Sequence, residues 1–193
     1  MKCAIIGKGN VGTALGKGLV RAGHEIKYGH KDPNEPVRDA ADWGEVLLFA
    51  VPYSSIKEVV RVIGPAADGK TLIDATNPLT PGMDLAVGMS TSAAEDLQRK
   101  LPKAHVVKAF NTVFAANQSL GRVGEHQLSA FVASDHAESK RITLQLARDI
   151  GFDPVDAGGL KTARYLEPMA VMLITLGYSL NLGTKIGFRL VKG

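Results

Sequence analysis

The stretch Lys2-Cys3-Ala4-Ile5-Ile6-Gly7-Lys8-Gly9-Asn10-Val11-Gly12 decides the fold. Lys2 to Ile6 reads as a short buried strand. The glycines follow at once, and Val11, Ala14, Leu15, Leu19 and Val20 then recur at helical spacing up to Gly23, a residue type suited to a helix C-terminus. Between strand and helix lies a G-x-G-x-x-G pattern, Gly7, Gly9 and Gly12. Gly7 permits the tight turn, Gly9 lets backbone approach a pyrophosphate and Gly12 allows close helix–strand packing. Glycines by themselves mark turns. Placed at the start of a helix, whose free N–H groups attract anions, they predict a dinucleotide site.

Working outward, the end of the second strand selects the cofactor. An acidic residue there would bind the ribose hydroxyls of NAD, whereas cations would accommodate the 2′-phosphate of NADP. The residues are Tyr28-Gly29-His30-Lys31, which favours NADP, with Asp32 close by on the side of NAD. A third apolar run, Val46 to Val51, is of the kind buried on both sheet faces, and Ala50-Val51-Pro52-Tyr53 lies at its carboxyl end, where open α/β sheets bind ligands. Ser55 with Glu58, and Ser92 with Glu95, have the spacing of capping boxes before helices. Strands are expected at Thr71–Ala75, His105–Phe110, Leu128–Ala133 and Asp153–Asp156. A helix is expected from Asp135 to Gly151. The alternation predicts an α/β, Rossmann-type, doubly wound and mainly parallel sheet with a long C-terminal helix. It forms one domain over 1–193, with 161–193 as the C-terminal helix, drawn from about Lys161 to Leu182, and tail.

Thr76-Asn77-Pro78 and Ala109-Phe110-Asn111-Thr112 end two further strands on the same sheet edge. Asn77 and Asn111 either offer amides to a nicotinamide or cap their own turns. On the last helix, Arg164 and Glu167 are spaced as a surface ion pair. Met169, Met172, Leu173 and Leu176 form a stripe that fits a core or a dimer seam.

Composition narrows the field. Of 193 residues, 45% are hydrophobic and 22% charged, as in ordinary globular domains. The net charge of +4 is scattered, which suits a small anionic ligand better than nucleic acid. The apolar start is too short for a signal peptide, and the uncharged segment Pro168–Thr184 is interrupted by Gly177, Asn181 and Gly183, so no membrane span is expected. Cys3 is the only cysteine, consistent with a reducing cytoplasm. Metal-ligand spacing, the nucleophile-elbow pattern and the Walker A pattern are all missing, and no residue stands out as a catalytic acid or base. Hydride transfer between a nicotinamide and a flavin-like ring needs little more than face-to-face proximity, so it suits such a chain.

The sequence resembles the coenzyme F420-dependent NADP oxidoreductases and the related reductase domains of the STEAP metalloreductases. The resemblance rests on Gly7–Gly12, Gly29, Ala50–Tyr53, Asp74-Ala75-Thr76-Asn77-Pro78, Val107-Lys108-Ala109-Phe110-Asn111-Thr112, Asp156-Ala157-Gly158-Gly159-Leu160 and Ala163–Glu167. It implies NADPH held across the strand ends, a second cofactor (F420, FMN or FAD) near Asn77, Phe110, Thr112 and Leu160, and a homodimer formed through the C-terminal helix. Family members that bind NADP commonly carry Ser-Arg where this chain has His30-Lys31. A non-catalytic NADP(H) sensor or partner-binding module is the alternative function. A carbonyl or imine reductase completed by a dimer partner is a third.

Overall fold

In the computed structural model, which describes residues 1–193, the chain alternates β1 (Lys2–Ile6), α1 (Asn10–Arg21), β2 (Glu25–Gly29), α2 (Val37–Trp43), β3 (Val46–Phe49), α3 (Ile56–Ile63), β4 (Thr71–Asp74), α4 (Ala93–Lys100) and β5 (His105–Lys108). The five strands make one parallel sheet in the order β2-β1-β3-β4-β5. The doubly wound reading therefore holds. The order reverses between β1 and β3, so the ends of these strands, Gly7 and Ala50, flank the crevice in which such sheets bind ligands.

Both sheet faces are covered. On one side Leu15 and Leu19 of α1 pack with Val46, Leu48, Ile73 and Val107; on the other, α2, α3 and α4 bury Ala40, Val59, Ile63 and Leu97 against Leu47, Phe49 and Leu72. Burial on both faces is why β3 is written as unbroken apolar sequence, each such side chain contributing roughly 1.5–3 kcal/mol. α1 stops where expected. Gly23, at φ +87°, takes the left-handed turn, and the amides of Gly23 and His24 donate back to Val20 and Leu19.

After β5 come the short α5 (Ala115–Gln118), a hairpin of β6 (Arg122–Val123) and β7 (His126–Gln127), then β8 (Ser129–Val132), α6 (Ala137–Ile150), β9 (Asp153–Asp156) and α7 (Ala163–Ile174). β8 and β9 pair with each other in parallel as a separate ribbon. The ribbon joins the main sheet through an antiparallel Lys108–Ala133 bridge. A parallel return would need a full crossover helix, and only α5 and the hairpin intervene.

Two local expectations change. Ser55 does not cap α3. It sits at φ −88°, ψ −11°, already helical, because the 3-10 turn Tyr53–Ser55 runs straight into the helix, whereas a capping residue needs extended backbone. The C-terminal helix is helical from Leu160, through a 3-10 turn, α7 and a π turn, to Ser179 rather than Leu182. Asn181 and Gly183 then adopt left-handed backbone and end it. No helix is long and apolar enough to cross a membrane.

Candidate functional site

The three fingerprint glycines have different tasks, which the space around each one separates. A Cβ on Gly7, at φ +109°, would lie 2.3 Å from the Ala50 carbonyl oxygen, and one on Gly12 would lie 2.1 Å from that of Gly7. Both positions therefore exclude a side chain for packing reasons. A Cβ on Gly9 would meet nothing within 4 Å. Gly9 caps α1 without a side-chain hydrogen bond, and the first turn carries no acidic residue. The leading amides of α1 thus have no side-chain cap and the space beside Gly9 is open, which is what a pyrophosphate requires.

A cleft of about 610 Å³ opens in front of this turn, lined by Gly7, Lys8, Gly9, His30, Lys31, Ala50, Val51 and Pro52 among others. Eight residues chosen from the sequence are therefore neighbours. The lining also includes Gly29, and with it Pro36, Val37, Ser55, Glu58, Val59 and Val62, six residues that sequence reading did not assign to a site. The spacing of Ser55 and Glu58 reads as a helix cap instead. A second cleft of about 530 Å³ shares Lys8 and Gly9 and adds Asn10, Thr13, Lys17, Phe114 and Tyr178. The two meet at the glycine turn. Val11 is partly buried and packs on the core.

Two of the three basic side chains at the mouth of the first cleft are engaged. Lys8 Nζ donates to both oxygens of Glu35, at 2.7 and 2.8 Å, and His30 Nε2 lies 2.5 Å from Glu35 Oε2. Hydrogen bonding from Lys8 and His30 outweighs partial desolvation and keeps the Glu35 carboxyl below the usual range. Lys31 is exposed. Tyr53 stands in the turn after β3, and burial, reinforced by the charges of Glu167 and Asp74, pushes its phenol up.

At the ends of β4 and β5 the two asparagines bind each other. Asn77 Nδ2 donates to the Asn111 carbonyl at 3.1 Å, and Asn111 Nδ2 donates to Asn77 Oδ1 at 3.0 Å and to the Leu166 carbonyl at 2.8 Å. Asn111 Oδ1 is buried without a partner. Phe110 holds left-handed backbone, φ +64°, a strain of about 1–3 kcal/mol for a non-glycine residue. Gln118 Nε2 pins it by donating to its carbonyl at 2.7 Å. The side chains of Pro78, Ala109, Phe110, Thr112 and Leu160 are buried, and Phe110 packs on Phe152. None of these five lines either cleft.

Beneath this edge lies a charge cluster that sequence reading missed. Lys108, fully buried, contacts Asp74 at 2.9 Å and Glu167 at 3.1 Å. It also donates to the Thr76 carbonyl at 2.7 Å. Burial alone would lower the Lys108 ammonium, but the charges of Asp74 and Glu167 reverse that and hold it above the ordinary lysine range. The oxygens of Glu167 also accept from the Ala93 and Ala94 amides at the start of α4, at 3.0 and 3.2 Å. Glu167 and Arg164 are therefore not a surface pair. On α7 the first points inward, while Arg164 forms a bidentate pair with Glu95 at 2.9 and 2.7 Å.

A parallel sheet with a glycine cradle at its switch point defines a dinucleotide-binding protein of the Rossmann class. Residues 2–42 match the family model described as NADP oxidoreductase, coenzyme F420-dependent. The chain is 30% identical to the F420-dependent NADP reductase of Methanothermobacter marburgensis, over 91% of this chain and 92% of that one. It is likewise 30% identical to the rat metalloreductase STEAP3, over 90% of this chain but only 37% of that longer protein. A solved protein of Arthrobacter sp. FB24, provisionally described as an F420-dependent NADP reductase, superposes with a TM-score of 0.92 at 28% identity, each chain covered completely. The chain belongs to the F420-dependent NADP reductase family.

Proposed function

We propose that this chain moves hydride between NADPH and a planar ring acceptor, a deazaflavin such as F420 or a flavin. The observation that carries the reading is the open face of Gly9 before the uncapped start of α1. The family relationship to F420-dependent NADP reductases supports the choice of cofactor and acceptor. In this reading the α1 amides hold the pyrophosphate, and Val51, Val59 and Val62 of the first cleft wall the adenosine half. Lys8, His30 and Lys31 stand at the ribose phosphate. The second cleft takes the reacting half, with Phe114 and Tyr178 as aromatic edges for a ring and Lys17 as a cation for an anionic tail. A reduced nicotinamide supplies the hydride when bound. The residues of the chain then have only to align two rings and exclude water, which is compatible with the lack of an assigned acid or base.

The exposed apolar side chains of the C-terminal helix, Tyr165 and Met172, suit cover by a second copy in a homodimer. Cys3 is a free, buried thiol, which suits a protein of the reducing cytoplasm. The test is stopped-flow mixing of protein and NADPH with F420, FMN or FAD, with light scattering on the same sample. Rapid bleaching of one acceptor, by a particle of twice the chain mass, is the expected result. Tight NADPH binding with no transfer to any acceptor overturns the enzyme reading.

A further inference from the structure

The carboxylate of Glu35 already occupies donors that a 2′-phosphate would need. Lys8 belongs to the glycine turn and His30 to the end of β2. Both line the first cleft, and both side chains converge on this one residue. Glu35 is held there by its backbone too, because the His30 amide donates to the Glu35 carbonyl at 2.9 Å and closes the 30–35 loop. Lys8 is steered from below, its ammonium lying 5.3 Å from the centre of the Tyr28 ring. Of the three basic side chains at this mouth, only Lys31 has no acidic partner within salt-bridge distance. Asp32 and Glu58 add further negative charge to the same lining.

We infer that Glu35 is the residue that sets the choice between phosphorylated and unphosphorylated dinucleotide. This rests on the reading that the first cleft holds the adenosine half. A 2′-phosphate must displace the carboxylate from Lys8 and His30 before it can bind them, and it is repelled until that happens. A free 2′-hydroxyl, a hydrogen-bond donor, leaves the cluster intact and can itself donate to the carboxylate. Glu35 therefore penalises NADPH relative to NADH, and its removal shifts selectivity toward the phosphorylated cofactor. The Lys8–Glu35 pair is partly exposed, at 42% and 32%, so the effect is modest.

The experiment titrates wild type, Glu35→Gln and the double variant Lys8→Met/Glu35→Gln with NADPH, NADH, 2′,5′-ADP and 5′-AMP by calorimetry. Glu35→Gln is expected to tighten 2′,5′-ADP and NADPH about fivefold, the scale of a partly exposed ion pair, and to leave 5′-AMP and NADH within about twofold. Adding Lys8→Met should erase the gain, because the released cation is what the phosphate takes. Equal changes for phosphorylated and unphosphorylated ligands, or no change, overturn the inference while leaving the cleft assignment standing. If wild type binds none of the four ligands, the adenosine reading of the cleft fails, and this inference fails with it.

Discussion

Two helices of this molecule begin in opposite ways. At α4 the first three helical amides are filled by the chain itself. Ala93 and Ala94 donate to Glu167, and Glu95 donates to the Ser92 hydroxyl at 3.1 Å. At α1 the cap is Gly9, with no side-chain bond and open space where its Cβ would stand. Both termini carry the same partial positive charge. One spends it on a buried carboxylate and joins α4, β5 and α7 into a unit. In the proposed function the other is left for a ligand. A helix start that its own protein closes is architecture, and one left open at the switch point of a parallel sheet is a place to bind an anion.

The contrast breaks most severely at the closed end. Lys108→Met leaves Asp74 and Glu167 as buried carboxylates without their cation, and should cost about 3–5 kcal/mol of stability by chemical denaturation. The same residue gives a pH signature. Because its folded pKa is raised, Lys108 stabilises fully below the ordinary lysine value, and that contribution is lost as pH climbs through the folded value. Wild type should therefore lose stability on the alkaline side. An equally alkali-sensitive Lys108→Met would contradict the assignment.

At the open end the expected effect falls on binding. Gly9 has φ −78° and ψ −170°, ordinary for any residue, so Gly9→Asp should fold. Its carboxylate would cap α1 as Glu167 closes α4. Stability should be unchanged or raised by a few tenths of a kcal/mol, while NADPH binding should weaken by roughly a hundredfold through like-charge repulsion. Retained affinity would show that the pyrophosphate lies elsewhere. The smallest effect is expected from Ser92→Ala, which removes one cap bond from α4 and should cost about 1 kcal/mol in thermal unfolding, with dinucleotide affinity unchanged.

Legibility followed distance along the chain. Gly7 to Gly12, the β1–α1 junction and the ends of β2 and β3 are each written within a few residues, and Gly7, Lys8, Gly9, His30, Lys31, Ala50, Val51 and Pro52 from them line one cleft. The Ser92–Glu95 cap was legible for the same reason. The identical spacing at Ser55–Glu58 misled, because a 3-10 turn from Pro52 had already placed Ser55 in helical backbone. Arg164 and Glu167, three apart, invited pairing with each other. Their partners, Glu95 and Lys108, lie 69 and 59 positions away.

Sequence alone determined the doubly wound architecture and the dinucleotide cradle, because two-faced burial and a glycine turn impose periodicity and composition on contiguous residues. Tertiary structure alone decided that Asp74, Lys108 and Glu167 share one buried site, that Asn77 and Asn111 bind each other, and that Glu35 holds Lys8 and His30. Each of those outcomes depends on which polar group lies nearest once separate elements have packed. A buried charge takes whatever partner the fold delivers within about 3 Å, and spacing along the chain carries no record of that.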